Sequence, residues 1–439
     1  MAQVYLDHAA TTHLRPDSRA ALIAALDVLG NPASIHTDGQ RARQLLEDSR
    51  EQVAAAVGAS GIEIIFTGGG TESVNLALKG LWWRRRPGTQ RVLMVAGEHH
   101  ATLDTVAWLA AHEGATVEVV PVDAVGRVRL EALDAALADA GSVALVTMLW
   151  ASNEVGTVQP VRDVAARAAR AGVPLHLDAV AAFGQLPIDV HAVRGDAGPG
   201  AGLVAMSVSA HKMGGPVGVG ALWLDRSAAL EPLLHGGGQQ RGVRSGTQDI
   251  AAAAAFAAAA RVVTGSVTGA GRAVAGTLAA DAVHMSRLRD RLIAGGLAAV
   301  PSAVLSGDPD PAGRLPGNAH FSFPGCEGDS LLFLLDAAGI AVSTGSACQA
   351  GVPEPSHVLR AMGRSENDAR GALRVTLGTS STDGDVDAFL AALPAAHASA
   401  MVAGMTADTS RRTVPTTGFG RDGGDDGGAR SFDVRAFGA

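Results

Sequence analysis

Gly202-Leu203-Val204-Ala205-Met206 runs into Ser209-Ala210-His211-Lys212, then a glycine-rich turn from Met213 to Gly220, then Ala221-Leu222-Trp223-Leu224. The two apolar runs read as buried strands, so the lysine stands in a tight turn at the end of a core strand. Lysine prefers a solvated helix face, and burial lowers its pKa. A desolvated amine is a nucleophile that can form a Schiff base with a carbonyl. The chain holds two lysines, Lys79 and Lys212. Lys79 falls late in an amphipathic helix, where a cation suits the helix dipole. Any Schiff-base chemistry is therefore expected at Lys212.

Upstream, apolar strands alternate with amphipathic helices. Strands are expected over 62–66, 91–96, 116–121, 143–149 and 173–177, with helices at 72–86, 101–113, 130–138 and 161–171 between them. Short, nearly continuous apolar strands linked by helices argue a mostly parallel sheet covered on both faces. Ligands of such sheets sit beyond the carboxyl ends of the strands. The loops there are Thr67-Gly68-Gly69-Gly70-Thr71, Glu98-His99-His100, Ser152-Asn153-Glu154 and Asp178. The glycine loop opens a helix, where backbone N–H groups and the dipole suit a phosphate, although taken alone a plain glycine turn is the commoner reading; no Walker or dinucleotide fingerprint is present. Asp178 ends an apolar strand, and a carboxylate there needs a cation, or serves as a cap for the next turn. A protonated pyridine nitrogen would be such a cation.

With 439 residues, 47% hydrophobic and 18% charged, the chain can hold two domains around an ample core. A net charge of −8 gives no basic footprint for nucleic acid. Cys326 and Cys348 lack metal or disulfide spacing, so no metal site is expected. No apolar run approaches the ~18 residues a membrane span needs. Met1 to Asp7 lacks the basic-then-apolar pattern of a secretory signal. A cytoplasmic location is the expectation.

His235-Gly236-Gly237-Gly238 could serve a lipase-like oxyanion hole, but the required G-x-S-x-G elbow is absent. The arginines and Thr247 that follow suit another anion contact. Beyond 295 the pattern becomes that of a smaller α+β unit, with strands at 318–323, 339–342 and 371–377 and helices at 330–337 and 383–393. Past 402 the composition turns to Gly, Asp, Thr and Arg and is expected to form a disordered tail. Cys348 sits among small residues in Ser343-Thr344-Gly345-Ser346-Ala347-Cys348, a setting typical of functional loops. Cys326 reads as a turn residue.

Taken together, these stretches resemble the cysteine desulfurases of the NifS and IscS type, in class V of the fold type I pyridoxal phosphate enzymes. The resemblance is carried by YLDHAATT from Tyr5, GNPAS from Gly30, TGGGTES from Thr67, GEHHATLDT from Gly97 and SNEVGTVQP from Ser152. It continues through HLDAV from His176, QLPIDV from Gln185, SVSAHKMGG from Ser207, HGGGQQRGVRSGTQ from His235, STGSAC from Ser343 and RVTLG from Arg374. It spans about residues 4 to 395.

The resemblance implies an α/β fold type I transferase. A large cofactor domain would cover 15–263, and a small α+β domain would comprise 1–14 and 264–402 and carry the cysteine loop. It implies pyridoxal 5'-phosphate linked to Lys212, with His99 stacked on its ring and Asp178 at its nitrogen. Gly70, Thr71, Ser209 and His211 would hold the phosphate, joined by Thr247 of a second subunit in a homodimer; Asn153 would contribute to the cofactor site as well. Asn153 and Arg374 would hold the substrate carboxylate. Cys348 would take sulfur from L-cysteine as a persulfide, with His99 as a proton acceptor, leaving alanine. A sulfur-acceptor protein, an iron–sulfur scaffold or a tRNA thiolation enzyme, would receive it. A C–S or C–Se lyase acting on selenocysteine or another thiol would use the same lysine; a non-catalytic scaffold would need neither Lys212 nor Cys348. Three positions depart from the family pattern: Ala181 replaces a glutamine, Ala210 a glycine, and Ser152 an asparagine.

Overall fold

A computed structural model describes residues 3–267, 273–345 and 355–412. Its strands are β1 (Val4–Tyr5), β2 (Ile64–Thr67), β3 (Arg91–Val95), β4 (Thr116–Val120), β5 (Val143–Leu149), β6 (Pro174–Asp178), β7 (Gly202–Ser209) and β8 (Gly220–Leu224), followed by β9 (Gly265–Val267), β10 (Ala273–Ala275), β11 (Val304–Leu305), β12 (Asn318–Ser322), β13 (Ile340–Ala341) and β14 (Ala372–Thr376). Seven of them make the main sheet in the order β2-β8-β7-β6-β5-β3-β4. Only β8 runs against its neighbours; the other pairings are parallel. The fold is therefore α/β with a mostly parallel sheet.

Alternate residues of a strand point to opposite faces, and this sheet buries both. Ile64, Phe66, Leu93, Val95, Ala221 and Trp223 enter one core, with helices Thr37–Ala56, Val161–Arg170 and Ile250–Thr264. Ile65, Val92, Met94, Leu222 and Leu224 enter the other, with helices Gly70–Trp83 and His100–Glu113. Strands buried on both faces need the continuous apolar runs seen in the sequence. Helix Ile250–Thr264 is almost wholly buried, and its alanines let it pack against helices Pro16–Leu26 and Thr37–Ala56.

A separate core joins the strands β11-β12-β14 and the β1–β13 pair to helices Leu278–Ala299 and Asp383–Arg412, through Leu6, Leu288, Phe321, Phe323, Leu335 and Phe389. Phe321 and Phe323 lie 5.9 Å apart between ring centres. The helix expected over 383–393 crosses Pro394 and continues to Arg412, into the segment expected to be a tail. The Gly/Asp-rich composition begins only beyond Pro415. Residues 413–439 lie outside the described residues, as does Cys348.

Two boundaries matter for the site. The strand expected over 62–66 begins at Ile64 after a 3-10 turn, and the next helix starts at Gly70, not Glu72. Gly70 and Thr71 are thus its first residues. Strand β7 extends past Met206 to Ser209, which pairs with Gly220, as Thr67 does from the other side. Gly220 has no room for a side chain: a Cβ would lie 2.7 Å from both the Gly69 carbonyl carbon and the Val208 oxygen. Gly220→Ala must push the glycine loop off the sheet. Overpacking of this kind costs about 1–3 kcal/mol, read as a lowered urea midpoint; an unchanged midpoint would contradict the packing.

Candidate active site

Strands β2, β3, β5, β6 and β7 end at one edge of the sheet, and their loops close on a cavity of about 370 Å³. Gly70, Thr71, His99, Asn153, Asp178, Ser209, His211, Lys212 and Arg374 all line it. Thr247 does not line it within one chain and is exposed.

Two chain segments build the lysine's setting. The turn after β7 folds back through Met213 N–H to Ala210 O and Gly215 N–H to Ala210 O. The N-terminal segment lies across it: Thr12 N–H donates to His211 O and Arg15 N–H to Gly214 O, and His211 Nδ1 lies 3.3 Å from Thr11 Oγ1. Burial, with the Arg374 charge, brings the Lys212 amine down to about 8; Asp178 and Asp7 oppose that fall. Lys79, by contrast, lies with Nζ 3.9 Å above the Trp108 ring, a cation–π contact outside the cavity.

Asp178 closes β6 and is 3% exposed. Its Oδ1 accepts Val180 N–H at 2.9 Å. Burial raises its pKa, against the pull of that bond and of Lys212. Glu98, to which sequence reasoning gave no role, stands in the same wall. Its Oε1 accepts Leu149 N–H at 2.7 Å, and burial pushes it up to about 8. Near neutral pH Glu98 is therefore mostly protonated and adds little negative charge beside Asp178.

His99 caps helix His100–Glu113, its Nδ1 accepting Ala101 N–H at 3.1 Å. Burial and then the Lys212 charge hold it down to about 4, so the ring is neutral with its proton on Nε2. In that state His99 donates from Nε2, and accepting a proton requires the Ala101 bond to open.

At the glycine loop, Gly68 N–H donates to Glu72 Oε2 at 2.7 Å, and Glu72 in turn pairs with Arg244 at 2.8 Å. Gly70 sits so close to Val180 that a Cβ would lie 2.7 Å from its Cγ2. Ser209 Oγ is buried with no partner among the described residues. A helix start, an unpartnered buried hydroxyl and His211 thus line one end of the cavity, and groups of this kind are able to donate to an anion. Across the cavity, Arg374 on β14 donates from Nη1 to Asn153 O at 3.1 Å and from Nη2 to Asp7 Oδ1 at 2.8 Å. Its Nε is buried without a partner among the described residues.

The departures have local explanations. Ser152 Oγ accepts Glu154 N–H and Val155 N–H, capping the turn that presents Asn153. Ala210 is fully buried, and a Cβ at Gly215 would lie 2.7 Å from its own. Ala181 presents a methyl to the cavity wall and cannot donate a hydrogen bond.

Sequence reasoning passed over Asp7, Glu98, Glu154 and His357. Glu154 is buried and raised to about 7, accepting a hydrogen bond from Ser356. His357 Nε2 donates to Glu98 O at 2.9 Å. Asp7, Glu98 and Glu154 lie inside the motifs that carry the resemblance; His357 carried no signal.

A family model described as aminotransferase class V matches residues 4–389. An IscS-like cysteine desulfurase of Mycobacterium tuberculosis is 49% identical over 411 residues, covering 93% of this chain and 100% of its own. A solved NifS-like protein superposes with a TM-score of 0.78 at 33% identity, over 90% of this chain and 98% of that one. SspA, solved in complex with cysteine, superposes with a TM-score of 0.70 at 28% identity, over 86% and 99%.

Proposed function

The chain belongs to the class V aminotransferase family, and from that premise we propose that it is a cysteine desulfurase. L-cysteine and the Cys348 thiol give L-alanine and a Cys348 persulfide: the C–S bond of the substrate breaks, an S–S bond forms, and the released carbon takes a proton. The observation that carries this reading is the meeting of Lys212, Asp178, His99 and Arg374 on one cavity.

Pyridoxal phosphate fits the residues present. The orphaned Ser209 hydroxyl, the helix start at Gly70–Thr71 and His211 suit its phosphate. Asp178 suits its ring nitrogen, and Lys212 its aldehyde. When bound there, the group supplies an electrophilic carbonyl and an electron sink. Asn153 would join that cofactor site, and His99, on the same cavity wall, would lie against the ring. Arg374 and Asn153 hold the substrate carboxylate, a guanidinium matching it bidentately. Lys212 Nζ would move the substrate's α-proton, its lowered pKa leaving part of the amine neutral near neutral pH. His99 accepts the thiol proton at Nδ1 when its bond from Ala101 N–H opens.

In this reading the cavity lies between a cofactor unit, residues 15–263, and a smaller unit, residues 1–14 and 264–402. Thr247, exposed and outside the cavity of its own chain, completes the phosphate site of a second copy in a homodimer. The persulfide passes to an acceptor protein of iron–sulfur assembly or tRNA thiolation, in the cytoplasm. No helix among the described residues is long and apolar enough to cross a membrane.

Incubation with L-cysteine tests this. Alanine and a persulfide on the Cys348 peptide are expected together; alanine with free sulfide and an unmodified Cys348 would refute the transfer step.

A pH prediction follows from the amine. Only neutral Lys212 attacks a carbonyl, and its pKa stands at about 8 against 10.5 for free lysine. Pyridoxal phosphate uptake by cofactor-free protein should rise with pH through about 8 and level off above it. Stopped-flow absorbance reads the rate; a tenfold rise between about pH 9 and 10 would show an unperturbed amine.

A further inference from the structure

We propose that Asp7 is a positioning residue for the substrate carboxylate, acting through Arg374. This rests on the reading of Arg374 as the group that holds that carboxylate. Asp7 lies two residues past the end of β1 and forms an isolated bridge with Thr376 at the end of β14, which brings it beside Arg374 across 367 positions. The Tyr5 hydroxyl lies 3.1 Å from Asp7 O and 3.0 Å from Thr11 O and shares its one proton between them, which ties down the backbone that carries the carboxylate.

The pairing does two things to the guanidinium. Asp7 Oδ1 takes Nη2 at 2.8 Å while Asn153 O takes Nη1 at 3.1 Å, so the fork is clamped at two separate nitrogens. A guanidinium has five N–H donors. These two bonds use two, and the buried Nε–H has no partner among the described residues. A clamped fork with donors left over can meet a carboxylate without first being ordered, which removes part of the entropic cost of binding.

The second effect is on charge. The Arg374 and Asp7 side chains are 6% and 20% exposed, so the cation is buried and its counter-ion is partly in water. The groups facing Lys212 are Arg374, Asp178, Asp7, His99 and His211. Asp7 offsets the guanidinium there, so that the cavity holds a carboxylate-binding cation without an unbalanced positive field on the amine.

The holoenzyme tests this by titration of its visible absorbance with L-alanine and with ethylamine, which lacks the carboxylate. Asp7→Ala should raise the L-alanine half-saturation about tenfold, as loss of a charged hydrogen bond implies, and move ethylamine by less than about twofold. In turnover, the KM for L-cysteine should rise with kcat little changed. Asp7→Asn, whose amide oxygen still accepts from Nη2, should fall between wild type and Asp7→Ala. Equal losses for L-alanine and ethylamine would make Asp7 a purely structural residue and overturn the proposal, as would an unmoved L-alanine titration. If Asp7→Ala does not fold, Asp7→Asn alone decides: its L-alanine shift must exceed its ethylamine shift. A wild-type enzyme that binds L-alanine but leaves L-cysteine intact would sink the desulfurase reading, while the contrast between L-alanine and ethylamine would still decide the role of Asp7.

Discussion

Lys212→Met is expected to abolish turnover, by at least roughly 10³-fold, since it removes both the attacking amine and a proton carrier; proton transfer alone contributes about 10²–10⁴. Borohydride reduction should then trap no cofactor on the chain, while the wild type carries it on Lys212. An adduct on Lys79 would overturn the assignment. The same substitution should stabilise the cofactor-free protein. The folded pKa of Lys212 lies below its unfolded value of 10.5, at about 8, so folding costs free energy at every pH below about 8, and the cost fades as pH rises to 10.5. At about 1.4 kcal/mol per pH unit, removing the charge gains on the order of 3 kcal/mol at pH 7 and nothing above about pH 10.5. Urea denaturation of the two cofactor-free proteins at pH 7 and pH 10.5 measures it; equal stability at pH 7 would mean that the amine is hydrated when folded. A site that is costly for stability and required for chemistry is the usual form of the trade-off between the two.

Cys348→Ser is expected to eliminate persulfide formation, with sulfur transfer down by roughly 100-fold or more, the scale on which a lost nucleophile registers. Cys326→Ser should stay active. The argument is by elimination: the chain has two cysteines. Cys326 is buried in the smaller core, with its Sγ 4.0 Å from His397 O, and burial pushes the thiol up to about 11. At pH 7 only about one in 10⁴ of such thiols is ionised, and the thiolate is the nucleophile. Mass spectrometry after L-cysteine treatment decides the matter. A persulfide on Cys326 would reverse the assignment.

Much of the site was legible before any fold was known, because strand-end loops of an α/β sheet converge and their residues can be read in order. The glycine loop, His99, Asn153, Asp178 and the Ser209–Lys212 turn each follow an apolar strand, and all line one cavity. Thr247 follows no such strand and does not reach the cavity of its own chain. Helix ends were read less well. Gly70 starts a helix that propensity would begin later, because the β2–β8 pairing holds the loop against Gly220. The last helix passes Pro394 because packing of Phe389, Leu393 and Ala400 into the smaller core outweighs the lost hydrogen bond.

By itself, the sequence determined the alternation of strand and helix, the place of Lys212 at a strand end and of Lys79 in a helix, and the chemical character of each strand-end loop. These depend on local pattern. Only the tertiary structure decided the charge states and the pairings. Glu98 is protonated because the sheet edge buries it, and His99 is neutral because burial and Lys212 both oppose its charge. The insertion of β8 against its neighbours and the clamp of Asp7 on Arg374 likewise arise from distant segments meeting. Desolvation and Coulomb interaction depend on position in space, and residues hundreds of positions apart acquire a common position only when the chain folds.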